Sequence, residues 1–234
     1  MQYHRDGFHP GDPDVLPAAP GHRQPGDPLP TEVDVLIAGS GPAGLCLAAQ
    51  LARFPQIRTM LVEPKLAPME KGQADGISVR SMEMFQAFGF AEQVMREAVW
   101  INETTFWAPG TAAGGIGGAA ALTRVARVQD VPDGISEMPH VLINQARVHD
   151  MFLDRMRNAP TRLVPDLGLK VAGLTVDPAT DDHPVTVTLA HTAPDREGQT
   201  HTVRANYVIG CDGARSAVRT AIGGALHGDA AHQA

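Results

Sequence analysis

The stretch from Val33 to Gly44, which reads VDVLIAGSGPAG, constrains the fold more than any other part of the sequence. It begins with an apolar run rich in β-branched residues, which predicts a buried parallel strand. A Gly-x-Gly-x-x-Gly turn follows directly, and residues Leu45 to Phe54 then predict a helix. A strand, this turn and a helix in succession form the fingerprint of a dinucleotide-binding unit. The alternative is a βα turn with a structural role only.

Each glycine of the turn has a physical reason. Gly39 permits the tight turn, Gly41 lets a pyrophosphate approach the backbone, and Gly44 lets the helix pack closely on the strand. Pro42 and Ala43 complete the turn at the helix start, where free N–H groups and the positive end of the helix dipole attract phosphate. We therefore assign these five residues to a cofactor site.

Composition and charge narrow the class of protein. With 234 residues, 43% of them hydrophobic and 19% charged, the chain has a globular composition and is long enough for one large domain or one and a half small ones. A net charge of −7 without a basic run argues against nucleic acid as a partner. No apolar run reaches the roughly 20 residues that cross a bilayer, and the N-terminus has no secretory signal pattern. The two cysteines, Cys46 and Cys211, predict buried thiols, so we expect a cytoplasmic enzyme.

Residues 1–30 are rich in Pro, Gly, Asp and His and have almost no apolar periodicity. Such a segment buries too little surface to offset its ordering entropy, which predicts a mobile arm. The spacing of its histidines, His4, His9 and His22, follows no metal-ligand pattern.

Glu63 ends a second predicted buried strand, Arg58 to Val62, and lies 19 positions after Gly44. A carboxylate at this place accepts hydrogen bonds from the two ribose hydroxyls of an adenosine. It also disfavours a 2′-phosphate, because like charges repel. The alternative is a strand-end acid that faces solvent.

Four further motifs carry a resemblance to a known family: GQADGISVRSMEMFQAFGF at 72–90, ETTFW at 103–107, NQARV at 144–148 and YVIGCDGARS at 207–216. With them the chain, from about Val33 to Gln233, resembles the single-component FAD-dependent aromatic monooxygenases, in the branch of phenol 2-monooxygenase and 3-hydroxybenzoate 4-monooxygenase. The resemblance implies an α/β fold, a Rossmann-like FAD-binding domain of the GR2 type, like that of p-hydroxybenzoate hydroxylase, with part of an antiparallel substrate-domain sheet. It also implies FAD as cofactor, NADPH or NADH as co-substrate, and a small phenol and O2 as substrates.

Asp75 is the catalytic residue that the resemblance implies, because the family's Gln-Ala-Asp-Gly aspartate lies by the substrate ring. A phenolate is a better nucleophile than a phenol, and a carboxylate at the hydroxyl takes or polarises its proton. A free phenol has a pKa of about 10 and a free aspartic acid one of about 4, so full transfer needs help from the environment. The alternative is an aspartate that caps the following turn.

Four residues are further cofactor candidates by resemblance. Gln145, after the helix-capping Asn144, is expected to contact FAD through its amide, and Asp212 is expected near the ribityl and pyrophosphate portion. Gln73 and Arg80 are expected near the flavin or its pyrophosphate. The alternatives are a plain turn aspartate for Asp212, a surface arginine for Arg80 and, for Gln73, a role of its backbone near the flavin ring.

We therefore expect an arm at residues 1–30, from its composition, and the N-terminal portion of the FAD-binding domain at 31–234, from the resemblance. Strands at about 100–130 and 165–205 are expected to roof the substrate site. Within the second range, Leu169–Val176 and Val185–His191 alternate between apolar and polar residues, which predicts a hairpin. Longer relatives are expected to be homodimers.

Three side chains and one loop complete the predictions. Phe106 and Trp107 are predicted to lie in the core rather than to stack on a ring, and the Gly- and Ala-rich stretch Pro109–Ala121 predicts a flexible loop. His140 is predicted to be a satisfied histidine at a strand end. The alternative for His140 is a contact with a carboxylate or hydroxyl of the substrate.

The function that this resemblance implies is hydroxylation of a phenolic aromatic compound with FAD, a nicotinamide donor and O2. A FAD-dependent oxidase or dehydrogenase, a non-catalytic FAD-binding fragment and a plain NAD-binding module are the alternatives. Family members are more than twice as long, so we expect an N-terminal fragment. Gly228–His232 imitates the family's third flavin motif but comes directly after the second one.

Overall fold

The structure is a computed structural model that describes residues 11–113 and 120–228. Its strands, in chain order, are β1 (Glu32–Ala38), β2 (Thr59–Glu63), β3 (Gly76–Ile77), β4 (Val99–Ile101), β5 (Glu103–Ala113), β6 (Ala120–Gln129), β7 (His140–Leu142), β8 (Asp166–Leu167), β9 (Leu169–Val176), β10 (Val185–His191) and β11 (Thr200–Gly210). Its helices are α1 (Pro42–Leu51), α2 (Val79–Ala87), α3 (Ala91–Glu97), α4 (Gln145–Asn158) and α5 (Ala217–Ala221).

The chain divides into two compact units. One unit consists of the chain up to Met69 together with the chain from His149 onward, and the other of Glu70–Val148. The boundary at Val148 falls within α4. None of the helices in the described ranges is both long and apolar enough to cross a membrane.

The first unit is built on a six-stranded sheet in the order β8-β2-β1-β11-β10-β9. Strand β1 runs parallel to β2 and β11, β2 runs parallel to β8, and β9 and β10 are antiparallel. This arrangement confirms the predicted α/β class with a parallel nucleotide-binding core. Apolar side chains from five of the strands form one buried cluster with Val218 of α5; its members include Val33, Leu36, Met60, Val62, Leu169, Leu189 and Val203.

The predicted strand, turn and helix at Val33–Gly44 are confirmed. Helix α1 begins at Pro42, earlier than the apolar pattern predicts, because proline is well suited to the first helical position. The sequence pattern predicts the positions of four of the strands, and the structure has β1, β2, β9 and β10 at those positions. Strands β9, β10 and β11, which we expected to roof the substrate, pair in the same sheet as β1. The alternation of apolar residues identified the strands without specifying their sheet, and the roof assignment stays a prediction.

The second unit contains two small antiparallel sheets. Strand β7 pairs with β3 and β4, and β5 pairs with β6. The predicted loop Pro109–Ala121 is strand wherever the structure describes it. Residues 109–113 continue β5 and residues 120–121 belong to β6, while residues 114–119 lie outside the described part. The prediction of core positions for Phe106 and Trp107 is wrong, since these side chains are 50% and 57% exposed. In the described residues no third strand covers this ribbon.

Residues 11–30, part of the predicted mobile arm, make specific contacts within the first unit. The N–H of Leu16 donates to a carbonyl at the end of α4 at 2.9 Å, and the Arg23 guanidinium forms two 2.7 Å bonds with Asp166. The composition of the segment gave no sign of these contacts because they are isolated polar pairs. Residues 1–10, with His4 and His9, lie outside the described part, as do the residues after Gly228 in the imitation motif.

Candidate functional site

The glycine turn after β1 is held together by close backbone approaches. Gly39 has a φ of +99°, and a Cβ on it would lie 2.5 Å from the Cys211 carbonyl oxygen. A Cβ on Gly44 would overlap the carbonyl oxygen of Gly39. Both positions therefore exclude a side chain, as the sequence predicts.

Gly41 differs from these two glycines, because a Cβ on it would meet no described atom within 4 Å. Gly41 is the N-cap of α1, no side chain caps it, and the first turn of the helix carries no acidic residue. Pro42 and Ala43 at this helix start are exposed. Open space against uncapped N–H groups and the positive end of a ten-residue helix fits a pyrophosphate.

Glu63 lies at the glycine turn rather than in solvent. Its Oε2 accepts hydrogen bonds from the backbone N and the Oγ of Ser40 at 2.8 and 2.9 Å, and its Oε1 accepts one from the N of Lys65 at 3.1 Å. The carboxylate is half-buried at the end of β2. The structure thus brings together the predicted phosphate turn and the predicted ribose acceptor.

Asp212 follows Cys211, whose carbonyl contacts Gly39, so the second motif also meets the glycine turn. Its carboxylate accepts hydrogen bonds from the Ser216 hydroxyl at 2.6 Å and from the Ala217 and Val218 N–H groups at 2.6 and 3.2 Å. Burial by itself would raise the pKa of Asp212, but these hydrogen bonds outweigh it and hold the pKa below its ordinary value. Asp212 therefore holds the start of α5, by binding its first N–H groups and the hydroxyl of its N-cap residue Ser216. This agrees with the alternative interpretation and leaves contact with FAD as a prediction.

Two half-buried thiols lie near this turn. Cys46 is in α1 and Cys211 follows β11. Burial raises the pKa of both thiols.

In the second unit the two predicted glutamines meet. The Gln145 Oε1 accepts a hydrogen bond from the Gln73 backbone N at 2.8 Å, and a Cβ on Gly72 would overlap the Gln145 side chain. Asn144 caps α4 as predicted, because its Oδ1 accepts from the Ala146 N at 2.8 Å. The start of α4 and the segment before Asp75 therefore form one local structure.

Asp75 lies next to this contact. Its carbonyl oxygen accepts a hydrogen bond from the Ile143 N at 2.8 Å, directly before β3 pairs with β7, and its side chain is exposed. Arg80 is in the first turn of α2 and is also exposed. The catalytic role of Asp75 stays a prediction, as does the cofactor role of Arg80, for which the surface alternative stays open.

The sequence gave no signal for Asp130, which pairs with His140. The Nδ1 of His140 lies 2.8 Å from Oδ2 of Asp130, so the prediction of a satisfied histidine is confirmed. The Nε2 of the same ring lies 3.6 Å from the place that a Cβ on Gly76 would occupy. Asp75 directly precedes β3, His140 begins β7, and Asp130 binds His140, so the three residues belong to one small sheet and its flanking segments, although the loop containing Asp130 carries no recognisable motif.

The sequence matches a family described as an FAD binding domain over residues 32–233, which is most of the chain.

The chain belongs to the FAD-binding domain family.

Two curated relatives of this FAD-binding domain are monooxygenases. It is 55% identical to the 3-hydroxybenzoate 4-monooxygenase of Comamonas testosteroni over all of this chain and 36% of that protein. It is 32% identical to a phenol 2-monooxygenase of Aspergillus fumigatus over 84% of this chain and 30% of that protein. The chain spans about a third of the length of these relatives.

Solved structures agree with the fold. The flavin-dependent monooxygenase PieE, solved with FAD and substrate, is 27% identical and gives a TM-score of 0.67 over 86% of this chain and 34% of that chain. The p-nitrophenol 4-monooxygenase of Pseudomonas putida, at 23% identity, gives a TM-score of 0.65 over 83% of this chain and 44% of that chain. These matches confirm the predicted p-hydroxybenzoate-hydroxylase-like class, and FAD is the cofactor of this family.

Proposed function

We propose that this chain is the FAD-binding portion of a flavin monooxygenase that hydroxylates a phenolic carboxylic acid with NADPH or NADH and O2. The observation that carries the proposal is the position of Asp75 in the second unit. The aspartate directly precedes the β3–β7 pairing and follows the Gln73–Gln145 contact, in a chain 55% identical to a 3-hydroxybenzoate 4-monooxygenase. We also infer a cytoplasmic location, which the two cysteine thiols support.

The residues that would hold FAD divide into two groups. Gly41 and the N–H groups of α1 suit the pyrophosphate, and Glu63 suits the ribose of the adenosine half. Gln73 and Gln145 suit the flavin end, because their amide and backbone groups donate and accept hydrogen bonds. When bound, FAD supplies the redox chemistry that activates O2.

The protein's own chemical step is removal of a proton. The O–H bond of the substrate breaks, the proton passes to the Asp75 carboxylate, and the electron pair stays on the oxygen, which makes the ring more nucleophilic. His140 supplies a second polar group on the neighbouring strand of the same small sheet, and its imidazole, when protonated, suits a substrate carboxylate. A phenolic acid has a hydroxyl group for Asp75 and a carboxylate for His140.

Ligand binding by the purified chain tests the cofactor. FAD and NAD are titrated separately while flavin absorbance and the melting temperature are followed, since a ligand of the folded state raises that temperature. We expect weak FAD binding without turnover. Stabilisation by NAD and none by FAD would overturn the proposal.

A chimera tests the reaction. This chain replaces the corresponding N-terminal segment of the Comamonas testosteroni 3-hydroxybenzoate 4-monooxygenase, and hydroxylated product is measured with 3-hydroxybenzoate and with phenol. Product from 3-hydroxybenzoate is expected, and Asp75→Asn should reduce kcat by about 100-fold or more with FAD retained. His140→Gln should reduce the preference for 3-hydroxybenzoate over phenol. Unchanged hydroxylation by Asp75→Asn would remove this base from the mechanism, and O2 uptake without a nicotinamide would indicate an oxidase.

A further inference from the structure

The carboxylate of Asp130 and the imidazole of His140 form a pair within the second unit. Asp130 directly follows β6, and His140 is the first residue of β7. The Asp130 Oδ2 and the His140 Nδ1 are 2.8 Å apart, and the two side chains are 17% and 31% exposed. This is a partly buried hydrogen bond between residues ten positions apart in the chain.

Asp130 is itself held from two sides. The Thr104 hydroxyl of β5 donates to the other carboxylate oxygen, Oδ1, at 3.3 Å, and the Asp130 N–H donates to the Asn102 carbonyl at 3.0 Å. The free orientation of the carboxylate is therefore restricted, and so is the direction in which it pulls the ring of His140.

The hydrogen bond to Asp130 determines which ring nitrogen of His140 is left to bind another group. An ionised carboxylate only accepts hydrogen bonds, so the Nδ1 that faces it carries the proton. In the neutral ring this leaves the lone pair on Nε2, because the hydrogen bond at one nitrogen sets the state of the other. This Nε2 lies 3.6 Å from the position that a Cβ on Gly76 would occupy. Gly76 is the residue that follows Asp75 in the chain.

We propose that Asp130 is a positioning residue that acts through His140: by holding Nδ1 it leaves Nε2 for the substrate carboxylate, to which Nε2–H donates once the ring is protonated. Its role rests on the proposed function, since the substrate is the phenolic acid proposed for this site. Asp130 is not expected to touch the substrate. It fixes the orientation of the ring and, in the neutral ring, the nitrogen that carries the proton.

Nuclear magnetic resonance on this chain tests the positioning directly. The chain is labelled with ¹⁵N-histidine, the signals of His140 are identified by their loss in His140→Gln, and the tautomer is measured at about pH 8, above the ordinary histidine pKa of about 6.5. We expect the proton on Nδ1 in the unmodified chain and a shift toward Nε2–H in Asp130→Ala. Asp133→Ala, an exposed aspartate that binds Gln129 and lies three positions away, is the matched control and should change nothing.

The unmodified chain alone can overturn the proposal, even if Asp130→Ala does not fold. A neutral His140 with its proton on Nε2 would contradict the assigned tautomer. The same tautomer in the unmodified chain and in a folded Asp130→Ala variant would show that Asp130 does not set it.

Kinetics of the chimera test the consequence for the substrate. Asp130→Ala should raise KM for 3-hydroxybenzoate about tenfold, the effect of a misplaced charged hydrogen-bond partner, with FAD affinity unchanged and with Asp133→Ala unaffected. An unchanged KM in Asp130→Ala, with hydroxylation intact, would overturn the positioning role. Absence of hydroxylation in the unmodified chimera would instead contradict the proposed function. The tautomer measurement does not depend on that function, so the two failures can be told apart.

Discussion

Gly44 at the start of α1 lies so close to Gly39 that a Cβ on Gly44 would overlap the Gly39 carbonyl oxygen. Gly41, between them, faces open space within 4 Å. The two glycines of this turn therefore differ in what surrounds them. Gly44 is needed for the chain to pack, and Gly41 is predicted to be needed for a ligand to approach.

Alanine substitutions separate these two roles. Gly44→Ala should lower the free energy of unfolding by about 1–3 kcal/mol, because the added methyl forces the backbone apart. Gly41→Ala should change it by less than about 0.5 kcal/mol, since its φ of −67° suits any residue, but should weaken FAD binding about tenfold or more. Urea denaturation measures stability and flavin titration measures affinity. Equal FAD affinity in Gly41→Ala and the unmodified chain would contradict the placement of the pyrophosphate.

The Glu63 carboxylate predicts a loss of affinity when its charge is removed. Glu63→Gln retains the shape of the side chain but loses a charged acceptor, and hydrogen bonds to charged groups contribute about 1.5–3 kcal/mol. The Kd for FAD should therefore rise at least about tenfold in a flavin fluorescence titration. Glu92→Gln, a change at an exposed glutamate of α3, is the control and should leave the Kd unaltered. An unaltered Kd in Glu63→Gln would show that Glu63 does not bind the ribose of FAD.

The hydrogen bonds of Asp212 to the first N–H groups of α5 predict a pH dependence of stability. Because the pKa of Asp212 is lowered in the folded state, its contribution is present above the ordinary value of 3.8 and is lost as pH falls through the folded pKa. Asp212→Asn should cost about 1 kcal/mol at neutral pH, typical of a lost cap, and progressively less as the solution becomes more acidic than pH 3.8. Thermal or urea denaturation at several pH values measures the difference. The exposed Asp195, changed to Asn, should show no such trend.

The Arg23–Asp166 ion pair predicts how residues 11–30 are held. Both guanidinium nitrogens bind the carboxylate at 2.7 Å, and the carboxyl side chain is only 11% exposed. Arg23→Ala should therefore lower stability by about 1–3 kcal/mol and speed proteolysis within residues 11–30. Limited proteolysis followed by mass spectrometry locates the cuts. Arg53→Ala, at an exposed position of the same unit, should match the unmodified chain; equal protease sensitivity of Arg23→Ala would show that the pair does not hold the segment.

The local chain chemistry determined the nucleotide half of this protein. The apolar run of β1, the close approach of Gly44 to Gly39 and the proline at the first position of α1 involve residues a few positions apart, and Asn144 caps the helix that follows it. Apolar alternation likewise located β9 and β10. These features were predictable because short-range sterics and hydrogen bonds specify them without reference to the rest of the fold.

Only the tertiary structure decided the pairings between distant residues. Arg23 meets Asp166 across 143 positions, and His140 meets an aspartate that belongs to no motif. The same limit explains the error at Trp107, since an aromatic residue in a strand is buried only if another layer covers it. A sequence states which side chains can form such contacts, but the strand order and register determine which of them meet.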